Sequence, residues 1–158
     1  MRIAFTYRLW TTPKQERDLS QILETHRRLY NDSLSQRIES YKSLGVRVTF
    51  YEQCRWVSLE RKTHPFLRNL NSTSCRITLS RLEKAIVAFF RRVENKEDPG
   101  FPRFKSRDRF HSFEYQIGNG AHLRDGRLHL QGVGAVRVCL HRPIEGTIKT
   151  VTLKREAD

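Results

Sequence analysis

The chain of 158 residues carries 30 Lys and Arg against 17 Asp and Glu, a formal net charge of +13, which argues against a surface built for neutral small molecules and points to polyanions. Its 37% hydrophobic and 10% aromatic content, with only five Pro and eight Gly, excludes a disordered basic tail and suits one average domain or two small ones around a modest core. No run approaches the ~18 apolar residues of a membrane span, and the first residues alternate rather than forming an unbroken apolar signal core, so no membrane partner is expected and a cytoplasmic protein is, at the nucleoid where it is DNA-bound.

In chain order, Ile3, Phe5, Tyr7 and Leu9 alternate with polar or small residues, the period of a half-buried strand. Thr12, Pro13 and Gln15 then predict a helix start: a cap, a residue suited to the first helical position, and a capping-box partner. Leu19, Ile22, Leu23, His26, Tyr30, Leu34, Ile38 and Tyr41 follow at steps of three and four up to Leu44 and a stop at Gly45. Thr49 with Glu52 opens a second helix through Trp56, Leu59 and Lys62, which His64 and Pro65 interrupt. A third helix is expected after Asn71, Ser72, Thr73 and Ser74, with Cys75, Leu79, Leu82, Ile86, Phe89 and Val93 as its apolar stripe, ending by Asp98 before Pro99 and Gly100.

Beyond Gly100 the pattern changes to short alternating runs: Phe113, Tyr115 and Ile117; Leu128 and Leu130; Val136, Val138 and Leu140; and Ile148 to Leu153. About four strands are predicted there. One strand, three helices and then a meander is not the alternation of a doubly wound sheet. The fold class is α+β, a small β-barrel with a helical insertion after the first strand. The expected division is residues 1–11 for that strand, 12–98 for the helices, 99–154 for the rest of the barrel and 155–158 for a tail.

Both parts are basic, with 19 Lys and Arg against 11 Asp and Glu in residues 1–99, and 11 against 6 in residues 100–158. The densest run joins them: Arg103, Lys105, Arg107 and Arg109 interleave with Phe101, Phe104 and Phe110. Charge for phosphates and rings for stacking coexist there. The same phenylalanines also suit a plug between helices and barrel, leaving the charges as a solvated rim. Ser72, Thr73 and Ser74 offer hydroxyls at a helix start, for a phosphate or base edge or for simple capping. Arg27 and Arg28 on the first helix, and Arg76, Arg81, Arg91 and Arg92 on the third, form one positive face or several.

Cys54, Cys75 and Cys139 have no metal-ligand spacing and read as buried or incidental thiols. The six histidines lack a local nucleophile and carboxylate arrangement, although His111, His122 and His129 fall in the strand region. Two-metal nuclease chemistry needs converging carboxylates, and the strand region offers only Glu114 and Glu145 besides the turn acids Asp108 and Asp125 and the tail acids Glu156 and Asp158. A binder without a catalytic centre, metal or cofactor is expected. A small metal-dependent nuclease using Glu114, Asp125 or Glu145 is the competing reading.

Five stretches, in order, resemble the OrfB/TnpB proteins of bacterial and archaeal insertion sequences. Tyr7-Arg-Leu-Trp-Thr-Thr-Pro-Lys-Gln15 is similar to that family's opening. Leu29-Tyr-Asn31 with Leu34, and Leu82-Glu-Lys-Ala85 with Phe89-Phe-Arg-Arg92, resemble its helices. Gly100-Phe-Pro-Arg-Phe-Lys-Ser-Arg107 and the block from Val136 to Lys149 resemble its most recognisable N-terminal blocks. The sequence departs from the family where Thr11 replaces a Pro, Thr73 a Gln, and Arg76 with Ile77 a Gln pair.

The resemblance implies a wedge-type, OB-like barrel split by a helical recognition domain with the transposase helix-turn-helix region, as in type V CRISPR effectors. It implies that these parts hold a guide RNA and inspect a short DNA motif beside the target, in the manner of RNA-guided recognition. It covers only the front of a complete member, so the RuvC-like nuclease, its acidic ligands and its zinc cysteines are expected beyond Leu153, and a separate nuclease half is among the conceivable partners. By position, Tyr30, Asn31, Ser72, Thr73 and Arg76 become candidates for DNA contacts. Arg8, Arg103, Phe104, Lys105, Arg107, His141 and Arg142 become candidates for RNA or phosphate contacts.

Overall fold

The computed structural model describes residues 2–156. The chain enters through a two-residue strand, β1 (Leu9–Trp10), and turns at once into α1 (Pro13–Leu44). The Thr12 hydroxyl accepts the Gln15 N–H at 3.2 Å while the Gln15 amide oxygen accepts the Thr12 N–H at 3.1 Å, a reciprocal satisfaction of two amides that no helical carbonyl can reach. Gly45, at φ 64°, ends the helix in the left-handed conformation that a Cβ would oppose. Thr49 and Glu52 repeat the capping box at α2 (Phe50–Thr63).

Pro65 does more than interrupt. It starts a single turn, α3 (Pro65–Arg68), before α4 (Ser72–Glu94), so four helices form where three were expected. The reason for the earlier start of α4 is Asn71, whose side-chain oxygen accepts the Ser74 N–H at 2.9 Å. Ser72, Thr73 and Ser74 are thereby first-turn residues of the helix and not its leader.

Contacts climb α1 and α4 together: His26 meets Ser74 and Thr78, Arg37 meets Glu83, and Arg47 lies over the Phe90 ring. These two helices therefore run parallel, with α2 descending beside them. Gln53 of α2 locks the three-helix group. Wholly buried, it accepts from Arg37 Nε at 2.8 Å and donates to the Ser33 carbonyl at 2.8 Å and Gln36 Oε1 at 3.0 Å, so its amide is buried with partners.

The remaining strands are β2 (Ser112–Ile117), β3 (Gly120–Arg124), β4 (Arg127–Leu130), β5 (Gly134–Val138) and β6 (Thr150–Lys154). They and β1 form one six-stranded sheet in the order β1-β5-β4-β3-β2-β6. The mixed α+β class expected from the sequence is thus present. Strand β3 was not predicted, because its alternation rests on Ala121 and Leu123 between glycine-containing turns. Strand β1 is shorter than the Ile3–Leu9 alternation suggests. Leu140 and His141 donate their amides to Val138 and Cys139, two residues back, so the chain beside residues 3–7 has no ladder left to offer.

One core joins the layers. Ile22, Leu23, Leu29 and Leu34 of α1 and Cys75, Leu79 and Leu82 of α4 pack in one cluster with Phe113, Tyr115, Leu128, Val136 and Leu153 of the sheet. Arg81 crosses the seam, donating to the Ser112 carbonyl and to Glu114 Oε1, both at 2.7 Å. The expected tail is partly anchored, since Arg155 donates its N–H to the His111 carbonyl at 2.8 Å; Asp158 lies outside the described residues.

Candidate nucleic-acid interface

The basic connector between α4 and β2 has no regular secondary structure, yet it is fixed at one point with some care. Asn31, on the flank of α1, donates Nδ2 to the Lys105 carbonyl at 3.0 Å and accepts the Lys105 N–H on Oδ1 at 2.8 Å. Arg27, one helical turn earlier, donates to the same carbonyl at 2.9 Å. A primary amide has the donor and acceptor needed to pair with both backbone groups of one residue. The held residue leaves its neighbours outside: Arg103, Phe104 and Arg107 are exposed, Phe104 to 54%. Phe101 sets its ring against Phe89 of α4, edge to face at 5.1 Å, and is itself 46% exposed, so both phenylalanines face solvent.

Glu24 organises the arginines around this clamp. It receives Arg27 through two hydrogen bonds of 2.8 and 2.7 Å, Arg28 at 3.2 Å and the more distant Arg107 at 3.6 Å. The hydrogen bonds from Arg27, with those of Arg28 and the Arg107 charge behind them, hold its carboxyl down at about 2 against the opposing effect of burial. A cleft of about 290 Å³ opens here between Glu24, Arg27, Arg107, Phe110 and Arg155.

A second cluster forms where the first residues pass the loop after β5. Tyr7 donates its hydroxyl to the Arg142 carbonyl at 3.2 Å, its ring lies 5.2 Å from that of His141, and the Arg142 guanidinium sits 5.1 Å from the Phe5 ring centroid. His141 and Arg142 are thus brought together, with two rings that sequence reasoning had spent on a buried strand face. The alternation of Phe5 and Tyr7 was the available signal; it could not tell what would cover the rings. Arg8 is exposed on β1's approach, its carbonyl accepting the Cys139 N–H at 2.9 Å.

Among the expected DNA-side residues, Ser72 and Arg76 are exposed one turn apart on α4, and Thr73 is half-buried between them. Tyr30 is elsewhere. Its ring is 5% exposed and packs at 6.1 Å against Phe110, so the structure makes it a core residue, as the apolar stripe of α1 required. Asn31 is half-buried, with its amide paired to Lys105, and it positions the connector. Arg27 and Arg81 are similarly engaged by protein partners, whereas Arg76, Arg91 and Arg92 are exposed.

The acids of the nuclease reading do not gather. Glu114 is paired with Arg81 at 2.7 Å and Asp125 sits beside Arg124 at 3.5 Å in the β3–β4 turn. Among the described residues, no group of three or more His, Cys, Asp or Glu side chains is placed to hold a metal ion. The cysteines are free thiols, with Cys75 pushed up to about 12 by burial. Among the described residues, no helix is long and apolar enough to cross a membrane.

The chain is 25% identical over 154 residues to the "Putative RNA-guided DNA endonuclease InsQ" of Escherichia coli (strain K12), covering 96% of this chain and 37% of that protein. It is 26% identical over 129 residues to a "Putative RNA-guided DNA endonuclease" of Streptomyces pristinaespiralis, covering 80% of this chain and 31% of that one. The chain therefore spans about a third of the length of the curated relatives it matches. Residues 1–45 match a helix-turn-helix domain family, although within them the structure holds β1 and one uninterrupted helix, the turn and next helix following at Gly45 and Phe50. Residues 1–45 thus match the helix-turn-helix domain model of the IS605-type OrfB proteins, and most of the chain is similar to proteins designated putative RNA-guided DNA endonucleases.

Proposed function

We propose that this chain is the nucleic-acid-binding N-terminal part of a TnpB-like transposase, holding a guide RNA and inspecting a short duplex DNA motif beside the target, with no catalytic centre of its own. In this reading the curled sheet is the wedge, OB-like element, and the helices are the recognition element inserted after its first strand. The observation that carries it is the clamp of Asn31 and Arg27 on Lys105, which turns a flexible basic connector into a fixed ridge with Arg103, Phe104 and Arg107 outward. A ridge of fixed cations and a free ring suits a phosphate backbone with unpaired bases. The Phe5, Tyr7, His141 and Arg142 cluster offers the same chemistry beside the loop after β5.

The names of the relatives support the guide-RNA part of the reading. The missing chemistry comes from a nuclease part, in the same polypeptide or a separate chain. The test is co-purification: the chain is expressed with its native flanking DNA, isolated at moderate salt, and the bound RNA sequenced. One enriched transcript ending at the element's boundary is expected. A smear of unrelated RNA, or none, sinks the reading and leaves a remnant of a transposase.

A further inference from the structure

The side of the sheet turned away from the helices carries a second basic array that the proposed function does not use. Register defines it. Arg124 of β3 stands directly opposite Arg127 of β4, Arg127 opposite Arg137 of β5, and Arg137 opposite Trp10 of β1. One row thus crosses four adjacent strands with three guanidinium groups and an indole. The intervening residues Leu123, Leu128 and Val136 form the matching row on the core side, with Leu128 and Val136 buried, as a period of two demands. All three arginines are exposed, and Trp10 is 58% exposed.

Folding does not account for this row. Like charges placed directly opposite one another in neighbouring strands work against the sheet. Among the described residues, the one acid near them is Asp125, at 3.5 Å from Arg124 in a fully solvated turn, and such a pair offsets little. Protection of sheet edges does not explain it either, because β3, β4 and β5 are all interior strands. A surface designed only for solubility mixes both signs, and this one has a single sign.

Two residues further along the strands runs a parallel row. His122 faces His129 and His129 faces Ala135, and the two imidazoles are stacked, 4.5 Å between centroids and 3° between planes. Beside them opens a cleft of about 410 Å³ floored by Gly118, Gly120 and Gly134. Ala135 leaves the next place in the stack empty of side chain. The three arginines and the indole therefore lie in one track and the two stacked imidazoles in another, about 7 Å away at 3.3 Å per residue.

We infer that this solvent face binds an unpaired nucleic-acid strand laid across β3, β4, β5 and β1, its phosphates on Arg124, Arg127 and Arg137 and its bases on Trp10 and the His122–His129 stack. Three strands at about 4.8 Å put the outer arginines about 10 Å apart, a span from which long arginine side chains reach successive phosphates of one strand. A duplex satisfies the cations but hides its base faces, whereas an unpaired strand uses both tracks. The inference rests on the nucleic-acid reading above and adds to it a surface remote in sequence from the connector ridge.

The test uses the whole chain with fluorescein-labelled oligouridylate, oligothymidylate and duplex DNA, each of about 15 nucleotides or base pairs. The variant R124Q/R127Q/R137Q is compared with R91Q/R92Q/K96Q, which removes the same charge from the end of α4. The sheet variant is expected to bind the single strands at least tenfold more weakly and to lower the slope of log K against log salt by about 2, from about 0.7 per lost contact. Its Tm is expected to equal or exceed the parent's, since repulsion has been relieved. In a W56F background, which leaves Trp10 as the sole indole, single strands are expected to quench the fluorescence. RNA against DNA single strands distinguishes the two sources of the same chemistry. Equal losses in both triple variants, unquenched Trp10, or preference of this face for the duplex overturns the inference while leaving the proposed function standing. A parent protein that binds none of the probes overturns both.

Discussion

Asn31 and Lys105, 74 residues apart in sequence, are joined by two hydrogen bonds of 3.0 and 2.8 Å, one to the Lys105 carbonyl and one from its N–H. This pair converts a position on α1 into control over a loop that has no ladder of its own. In Asn31→Ala, Arg27 alone remains on the Lys105 carbonyl and the Lys105 N–H is left without its partner. At about 1 kcal/mol net for each bond, the variant loses about 2 kcal/mol, mainly as local opening of the connector. Hydrogen exchange at the Lys105 amide is expected to accelerate well beyond that of the α1 core. Unchanged protection there rules out the clamp.

Phe104 separates holding from binding. Its ring is exposed and stabilises little, so Phe104→Ala is expected to leave Tm unchanged while weakening RNA binding about tenfold, the effect of about one lost base stack. Asn31→Ala, in contrast, lowers stability and affinity together. Anisotropy titration and thermal melts on the two variants check this; an F104A protein that binds as well as its parent places the RNA elsewhere.

Local signals made the helical layer legible. The Thr12 and Thr49 capping boxes, Pro13 and Gly45 each act through neighbours within a few residues, and each stands where their chemistry places it. Strand β3 and the short β1 were less legible because their partners are set by register across the sheet, which no local spacing encodes. The site divided in the same way. A basic, aromatic connector announces itself by composition, but the Asn31 contact to Lys105 is long-range, and Tyr30 and Asn31, adjacent in sequence, face core and connector on neighbouring flanks of one helix. The row Arg124, Arg127, Arg137 and Trp10 was invisible for the same reason: its members are scattered along the chain and meet only through strand pairing.

Gly120 joins the two layers. At φ +89°, a Cβ there would lie 2.5 Å from Asn71 Nδ2, and Asn71 cannot yield easily, since it caps α4 while donating to Asn119 and Gln131. Gly120→Ala combines backbone strain with loss of a helix cap and is expected to cost about 3 kcal/mol. Gly126→Ala, at φ +70° with nothing within 4 Å of the added carbon, is expected to cost about 1 kcal/mol. Denaturant titration of both variants tests the difference; equal costs would mean that the contact with Asn71 carries no weight.

His26 gives the fold a pH dependence of predictable sign. Wholly buried, it stacks on Phe113 and lies 3.2 Å from Ser74 Oγ and 2.8 Å from Thr78 Oγ1. Ser74 donates its own proton to the Glu114 carbonyl, so Nε2 donates to Ser74 and Nδ1 accepts from Thr78. Burial, with the nearby Arg81 charge, lowers the imidazole from its ordinary 6.5 to about 3. Between those values the unfolded chain binds a proton that the folded one refuses, so stability falls as pH falls, by at most about 1.4 kcal/mol per pH unit. Glu24 acts in a lower window: its depressed carboxyl adds stability that is complete above 4.5 and is lost as pH drops toward about 2. From about pH 7.5 to about pH 5 the His26 contribution therefore stands apart from that of Glu24. His26→Gln retains an amide for Ser74 and Thr78 but does not titrate, and its Tm is expected to be flatter over that interval than the parent's. Parallel Tm profiles for the two proteins would show that another group carries the proton.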